Sequence, residues 1–294
     1  MNFTIELIRL VAVMLITFTH VRHGFSEGPM YYVLEVVPKF GTLILSVVSG
    51  YLFNEISNKN NKTSLTRRKI RSLLIPFLIA NTVILMLVLV LKVFGVEVLN
   101  RLSYDYTLIT EGLFSLSSPP INPPTYFIRD LFVIFLLIDL FKNRNYLVIL
   151  FIVPLLLFGK ILLRYDILLL FSFGVLFSKY RLFLNKIAVT IALICIASVL
   201  VFFNYMVVFK YTLTILLFIN IMRIKIGFVK TGGYTYLLHL YHAPIIVLSV
   251  PFINQFIKNP YLNVILQIGI ALLLSYIFFK FIKIFNLKVI TGNR

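Results

Sequence analysis

Four stretches of this chain, residues 72–91, 187–209, 231–257 and 259–279, contain no Asp, Glu, Lys or Arg. Runs of that length match what a helix needs to cross a bilayer, about 20 residues at 1.5 Å each. The wider composition agrees: 60% of residues are hydrophobic and only 13% are charged. Soluble domains sit near half and a quarter. A soluble domain and a disordered chain are both excluded. The chain reads as all-α, a polytopic integral membrane helical bundle. It forms one domain over residues 1–294 with no separate soluble domain.

Weaker apolar segments fill the spaces between these runs. The expected spans are 4–22, 33–54, 72–93, 125–141, 145–160, 163–178, 186–203, 206–222, 232–253 and 260–281, ten in all. The break at 94–124 holds the SSPPINPP turn cluster and room for one interfacial helix. The segment 186–222 is read as two short spans with a turn near Asn204–Tyr205; one long tilted span is the alternative. The net charge of +18 would suggest nucleic acid in a soluble chain. Here the basic residues sit in the breaks, so no nucleic-acid partner is expected. With the N-terminus inside, the cytoplasmic breaks and C-terminal tail hold 18 Lys and Arg and the outer breaks hold 7. That asymmetry puts both termini in the cytoplasm. A cleavable signal peptide is not expected, because Arg9 interrupts the first apolar run and no small-residue cleavage site follows it. The lone Cys195 supports neither an intrachain disulfide nor a metal cluster.

A charge at bilayer depth costs at least roughly 3 kcal/mol and so faces a partner or a cavity. Arg9 and His20 are eleven residues apart, which on one helix returns to within about 20° of the same face, roughly 16 Å along the axis. Two readings stand. The pair lines a path across the membrane, or Arg9 pairs with Glu6 while His20 caps the helix. His239 and His242 are one turn apart. Without accompanying carboxylates or cysteines they are not read as a metal site, and no metal is expected. A hydrogen bond from one of them to a Tyr or a carbonyl of a neighbouring helix fits better. Arg68 and Arg71, in RRKIR, are either a positive-inside anchor or a phosphate clamp with forked donors; both can hold. Glu35 and Lys39 are spaced for an intrahelical ion pair. Arg129 and Asp130 point about 100° apart on a helix, so at least one needs a partner on another element. Tyr126 lies one turn before Arg129.

Together these residues resemble the acyltransferase-3 family of integral membrane acyltransferases. ELIRLVAVMLITFTH is similar to the family's Arg-x10-His signature at Arg9 and His20. VVSGYLF is similar to its Ser-Gly-aromatic step at Ser49, Gly50 and Tyr51. RRKIRSLLIPF is similar to its Arg-x-x-Arg element at Arg68 and Arg71, with Pro76 following. TYFIRDLFVIFLL is similar to its aromatic-Phe-Leu-Arg entry at Tyr126, Phe127 and Arg129. GGYTYLLHLYHAP is similar to its Ser-Tyr-x-x-Tyr-Leu-x-His-x-Pro element, filled by Thr235, Tyr236, Leu240, His242 and Pro244. The matches run in order from residue 5 to 244. The chain departs from the pattern in having no Trp and no fused esterase-like domain. The latter implies transfer by this domain alone or with a separate partner.

The resemblance implies transfer of an acyl group, most often acetyl, from acyl-CoA (acetyl-CoA) to a hydroxyl of a cell-surface polysaccharide or lipid-linked sugar at the inner (plasma) membrane. It implies catalytic His20, Arg9 and His242, donor binding by Arg68 and Arg71, and a cavity with Arg129, Tyr126, Tyr236 and Ser49. His20 would act as general base or as a transient acyl carrier. The expected partners are membrane lipid and the saccharide acceptor, with a homodimer or polysaccharide-biosynthesis partners left open. A transporter or flippase of a lipid-linked saccharide is the alternative, using the same cationic cavity without acyl-CoA. Against it, no internal repeat of the transporter kind is visible. A polysaccharide polymerase would need a larger outer loop.

Overall fold

The computed structural model describes residues 3–57, 64–99, 101–141, 161–180, 187–224 and 226–292. No strand occurs among them. The helices are α1 (Phe3–Phe18), α2 (Gly28–Ile56), α3 (Leu65–Val93), α4 (Tyr126–Phe141), α5 (Tyr165–Tyr180), α6 (Ile187–Phe202), α7 (Met206–Arg223), α8 (Gly232–Phe256) and α9 (Pro260–Ile284). These coincide with nine of the expected segments. Among the described residues, α2, α3, α7, α8 and α9 are long and apolar enough to cross a membrane. The expected span 145–160 and the basic residues Lys59, Lys62, Lys142, Arg144, Lys160, Arg181, Lys186, Lys225 and Arg294 lie outside the described residues.

Local chemistry sets several boundaries. Asn259 caps α9, its Oδ1 accepting from the N–H groups of Tyr261 and Leu262 at 3.0 and 3.1 Å, and Pro260 fills the first helical position. Ser64 caps α3 by accepting from the Arg67 N–H at 3.2 Å. The segment 186–222 breaks where expected: Asn204 takes φ +59° in the turn between α6 and α7, a conformation that Asn tolerates better than most residues. Within α2 the winding changes to π over Tyr32–Val36 and to 3-10 over Val37–Lys39. Pro38 sits in that stretch, with no N–H to continue the α ladder. The break at 94–124 carries one short π-helical segment, Leu108–Leu113. The Glu111 carboxylate ties down its exit by accepting from Ser117 and Ser118 backbone N–H groups at 2.9 and 2.7 Å.

Two compact units interleave in sequence. The first comprises residues 1–19, 25–61 and 166–235. Its helices meet through glycine, as lipid-embedded helices do when backbones must come close. A Cβ on Gly50 of α2 would lie 1.9 Å from the Phe171 carbonyl of α5, and one on Gly174 of α5 would lie 2.1 Å from the Val47 carbonyl of α2. Gly41 of α2 packs likewise on the Ala12 carbonyl of α1, where a Cβ would stand at 2.5 Å. Phe177 and Phe218 close the space beside this crossing edge to face at 5.4 Å. Glu35 and Lys39 form the expected pair at 4.0 Å. The Ser-Gly-aromatic step therefore carries a packing requirement at Gly50.

The second unit comprises residues 20–24, 62–165 and 236–294. Two of the prolines inside its helices, Pro76 and Pro244, each leave a carbonyl that a distant side chain then serves. Pro76 cannot donate to Ser72 O, four residues back, and the Tyr236 hydroxyl donates to that oxygen at 3.1 Å. Pro244 cannot donate to Leu240 O, and the Asn122 side-chain amide does so at 2.7 Å.

Gly50→Ala and Gly174→Ala are expected to lower stability by about 1–3 kcal/mol or more, since the added methyl meets backbone. Ser49→Ala, at a half-exposed neighbour, is expected to stay within about 0.5 kcal/mol. Thermal unfolding of the three variants in detergent checks the contrast.

Candidate active site

His20 does not lie on the first helix. α1 ends at Phe18, and the Thr19 hydroxyl and N–H both donate to Ile16 O at 2.7 and 3.2 Å. The chain turns through Thr19 and His20, and residues 21–26 follow without regular structure. The single helical stripe expected from Arg9 to His20 is thus interrupted two residues before its outer end. The main chain two residues after His20 is held by Gln267 of α9. Its carboxamide oxygen accepts from Arg22 N–H at 2.8 Å, and its nitrogen donates to Arg22 O at 2.8 Å. Asn263, one turn earlier on α9, accepts the other amide hydrogen at 2.7 Å. Gln267 is fully buried.

The imidazoles of His20 and His242 meet, with ring centroids 5.1 Å apart and planes tilted by 57°. His242 is fully buried. Its Nδ1 lies 2.7 Å from Leu238 O on the preceding turn of α8, which assigns the proton to Nδ1 and a lone pair to Nε2. The partner carbonyl therefore belongs to its own helix rather than to a neighbour. Nε2 has no hydrogen-bond partner. His239, 6.2 Å from His242 between centroids, packs edge to face on Phe127 at 5.8 Å. Among the described residues, no three His, Cys, Asp or Glu side chains gather to hold a metal ion.

Beside His20 lies a cavity of about 280 Å³. Ile84, Leu87, Val88 and Leu91 of α3 form one wall, and Ala243, Pro244, Val247 and Leu248 of α8 form another. Val98, Leu99, Leu102, Ile121 and Pro123 from the loop before α4 complete the apolar lining. The polar lining is His20, Arg22, Arg101 and Asn122. Asn122 is held on several sides. Its N–H donates to Asn81 Oδ1 at 3.1 Å and its side-chain amide donates to Leu240 O. Asn81 also donates to the Thr125 hydroxyl at 3.1 Å. Asn81, Asn122 and Thr125 are all buried, and Asn122 Oδ1 is left without a partner.

The remaining expected site residues have other surroundings. In the first unit, Arg9 pairs with buried Glu6 at 3.0 Å. The second carboxylate oxygen of Glu6 accepts the Thr231 N–H at 3.0 Å, placing an anion at the N-terminus of α8, where the helix dipole favours it. This is the paired reading of Arg9. In the second unit, Arg129 and Asp130 do reach each other, at 2.8 Å, despite their divergent start. Arg129 also donates to the carbonyls of Ser115 and Leu116 at 3.0 and 2.9 Å and to that of Ile161. Asp130, fully buried, accepts from the N–H groups of Leu163 and Arg164 at 3.2 and 3.0 Å. Tyr126 accepts from the Arg164 guanidinium at 2.9 Å. The Arg129–Asp130 pair thus clamps the loops before α4 and before α5.

Arg67 and Arg71 are exposed and Arg68 half-buried near the start of α3. Lys69 turns instead onto the Phe135 ring, 3.7 Å from its centroid. Thr66 anchors this turn by donating its N–H and hydroxyl to Asp139 Oδ2 at 2.9 and 2.6 Å. Tyr236 is buried on Ser72 O and is not part of the cavity lining.

Sequence reasoning missed Asn81, Asn122 and Gln267. Signals for them exist. Asn81 is the only carboxamide in the run 72–91. Asn263 and Gln267 stand four apart in another charge-free run.

Compared with known proteins, the chain matches the sequence model of a family described as an acyltransferase domain, over residues 2–280. No curated protein and no solved structure matches it.

Tyr236→Phe is expected to lower stability by about 1–2 kcal/mol, because Ser72 O loses the donor that replaces Pro76. Reversible unfolding in detergent measures it; stability equal to wild type would show that the bond contributes nothing.

Proposed function

The chain belongs to the acyltransferase-3 family, and on that premise we propose an acyl transfer from acyl-CoA, with acetyl-CoA as the smallest donor. The acceptor is a hydroxyl of a cell-surface polysaccharide or lipid-linked sugar. The protein works as a multi-pass protein of the inner (plasma) membrane, with ten spans and both termini in the cytoplasm. What carries the reading is the contact between His20 and His242, 5.1 Å apart between centroids, with His20 on the wall of a cavity.

The chemistry follows from the tautomer. Nδ1 of His242 is committed to Leu238 O, so its bare Nε2 is an acceptor. In the proposed arrangement Nε2 takes the N–H of His20 and so presents the other nitrogen of His20 as a base. His20 removes the proton of the sugar hydroxyl as that oxygen attacks the thioester carbonyl. The carbon–sulfur bond breaks, an ester forms, and the thiolate recovers the proton from His20 as a thiol. Formation of an acyl-imidazole on His20, followed by attack of the sugar on it, gives the same balance. Desolvation by the apolar walls strengthens each polar contact with the developing oxyanion.

Donor binding is proposed at the start of α3, on the cytoplasmic side by the charge distribution. The guanidinium groups of Arg68 and Arg71 suit the polyphosphate of the donor. From Arg71 to the cavity wall at Leu87 is sixteen residues of helix, about 24 Å, so the donor's arm would run along α3. Arg9 and Arg129 act through their ion pairs, as positioning residues. A flippase would need no acyl-CoA, and movement of label from acyl-CoA into saccharide separates the two functions.

His20→Ala, inserted and folded, is expected to reduce transfer from labelled acyl-CoA at least a thousandfold. Transfer at the wild-type rate would remove both the base and the carrier roles. Arg68→Ala with Arg71→Ala is expected to raise KM for acyl-CoA tenfold or more with a smaller change in kcat.

A further inference from the structure

We propose that the cavity beside His20 is an acyl-chain pocket and that the group transferred carries about four to eight carbons, beyond acetyl. The inference rests on the acyltransferase reading and adds the class of donor. Size is the first argument. At the ~30 Å³ that a water occupies in the liquid, the 280 Å³ of the cavity has room for roughly nine non-hydrogen atoms. An acetyl group fills a third of that.

Chemistry is the second argument. A sugar ring in this space would bring several hydroxyls, each costing about 1–3 kcal/mol if left unpaired. Apart from His20, Arg22, Arg101 and Asn122 the lining is apolar. Of these, Asn122 already gives its amide to Leu240 O and Arg101 gives a guanidinium N–H to Pro120 O at 2.7 Å. A polyprenyl carrier with tens of carbons would leave most of its length outside the cavity. A short hydrocarbon chain needs no partners and gains from burial with every methylene.

Position is the third argument. The apolar wall comes in two ladders spaced four residues apart on their helices, Leu87 with Leu91 on α3 and Ala243 with Val247 on α8. Ala243 follows His242 directly. A thioester carbonyl presented to His20 thus projects its chain between the two ladders. In the transfer the chain stays put: its carbonyl exchanges sulfur for the sugar oxygen, and the hydroxyl proton leaves with the thiol.

The test uses the purified full chain with a panel of acyl-CoA donors from acetyl to dodecanoyl, reading kcat/KM for thioester consumption. The wild type is expected to rise several-fold per added carbon to an optimum between four and eight carbons and then fall. Val247→Phe narrows the pocket and is expected to move the optimum at least two carbons shorter. Leu87→Ala widens it and is expected to move the optimum longer, so a folding failure of the first variant leaves the second to decide. A wild-type optimum at acetyl, or variants that leave the profile in place, overturns the pocket while the acyltransferase reading stands. Consumption of no donor at all overturns that reading and the pocket with it.

Discussion

A backbone carbonyl inside hydrocarbon has no water to turn to, so one that loses its helical donor is stabilised by any other donor that reaches it. This constraint organises the second unit. Pro76 and Pro244 each strip a donor from the residue four before them, and the replacements come from distant parts of the chain. The Tyr236 hydroxyl serves Ser72, and the Asn122 amide serves Leu240. Because Asn122 must reach Leu240, the INPP turn is drawn onto α8 two residues from His242. The cavity that His20 lines is bounded by that same turn. Prolines that look like breaks in the sequence are thus what forces a loop against the helix that carries the chemistry.

The ionic groups obey the same rule at greater cost. Glu6 and Asp130 are buried, and an unpaired charge there would cost several kcal/mol. Each is neutralised by an arginine three residues or one residue away and is further saturated by backbone N–H groups. These arginines hold chain segments in place. The imidazole pair differs: His242 Nε2 is as buried as any of them and has no donor.

Much of this was legible in the sequence. Charge-free runs locate helices because lipid tolerates little else, and Asn259-Pro260 marks a helix start through capping chemistry. The spacing of Glu35 and Lys39, and of Glu6 and Arg9, encodes pairs that form. The Arg9–His20 stripe was not legible because periodicity assumes an unbroken helix, while the Thr19 hydroxyl and N–H end α1 at the Ile16 carbonyl. Carboxamides were passed over because they carry no charge. Asn81, Asn122 and Gln267 act through partners 41, 118 and 245 residues away, and such distances leave no local pattern. The role of the glycine after Ser49 likewise depends on which helix α2 meets.

Gln267 grips Arg22 only by its main chain. Both hydrogen bonds would form equally with any residue at that position except proline. The Arg22 side chain, two residues after His20, therefore takes no part in this tether. Exchanging Arg22 for another non-proline residue keeps this main-chain tether while changing the charge beside the imidazole. The electrostatic character of the cavity mouth is in this sense an independently tunable trait, separated from the catalytic geometry by one carboxamide.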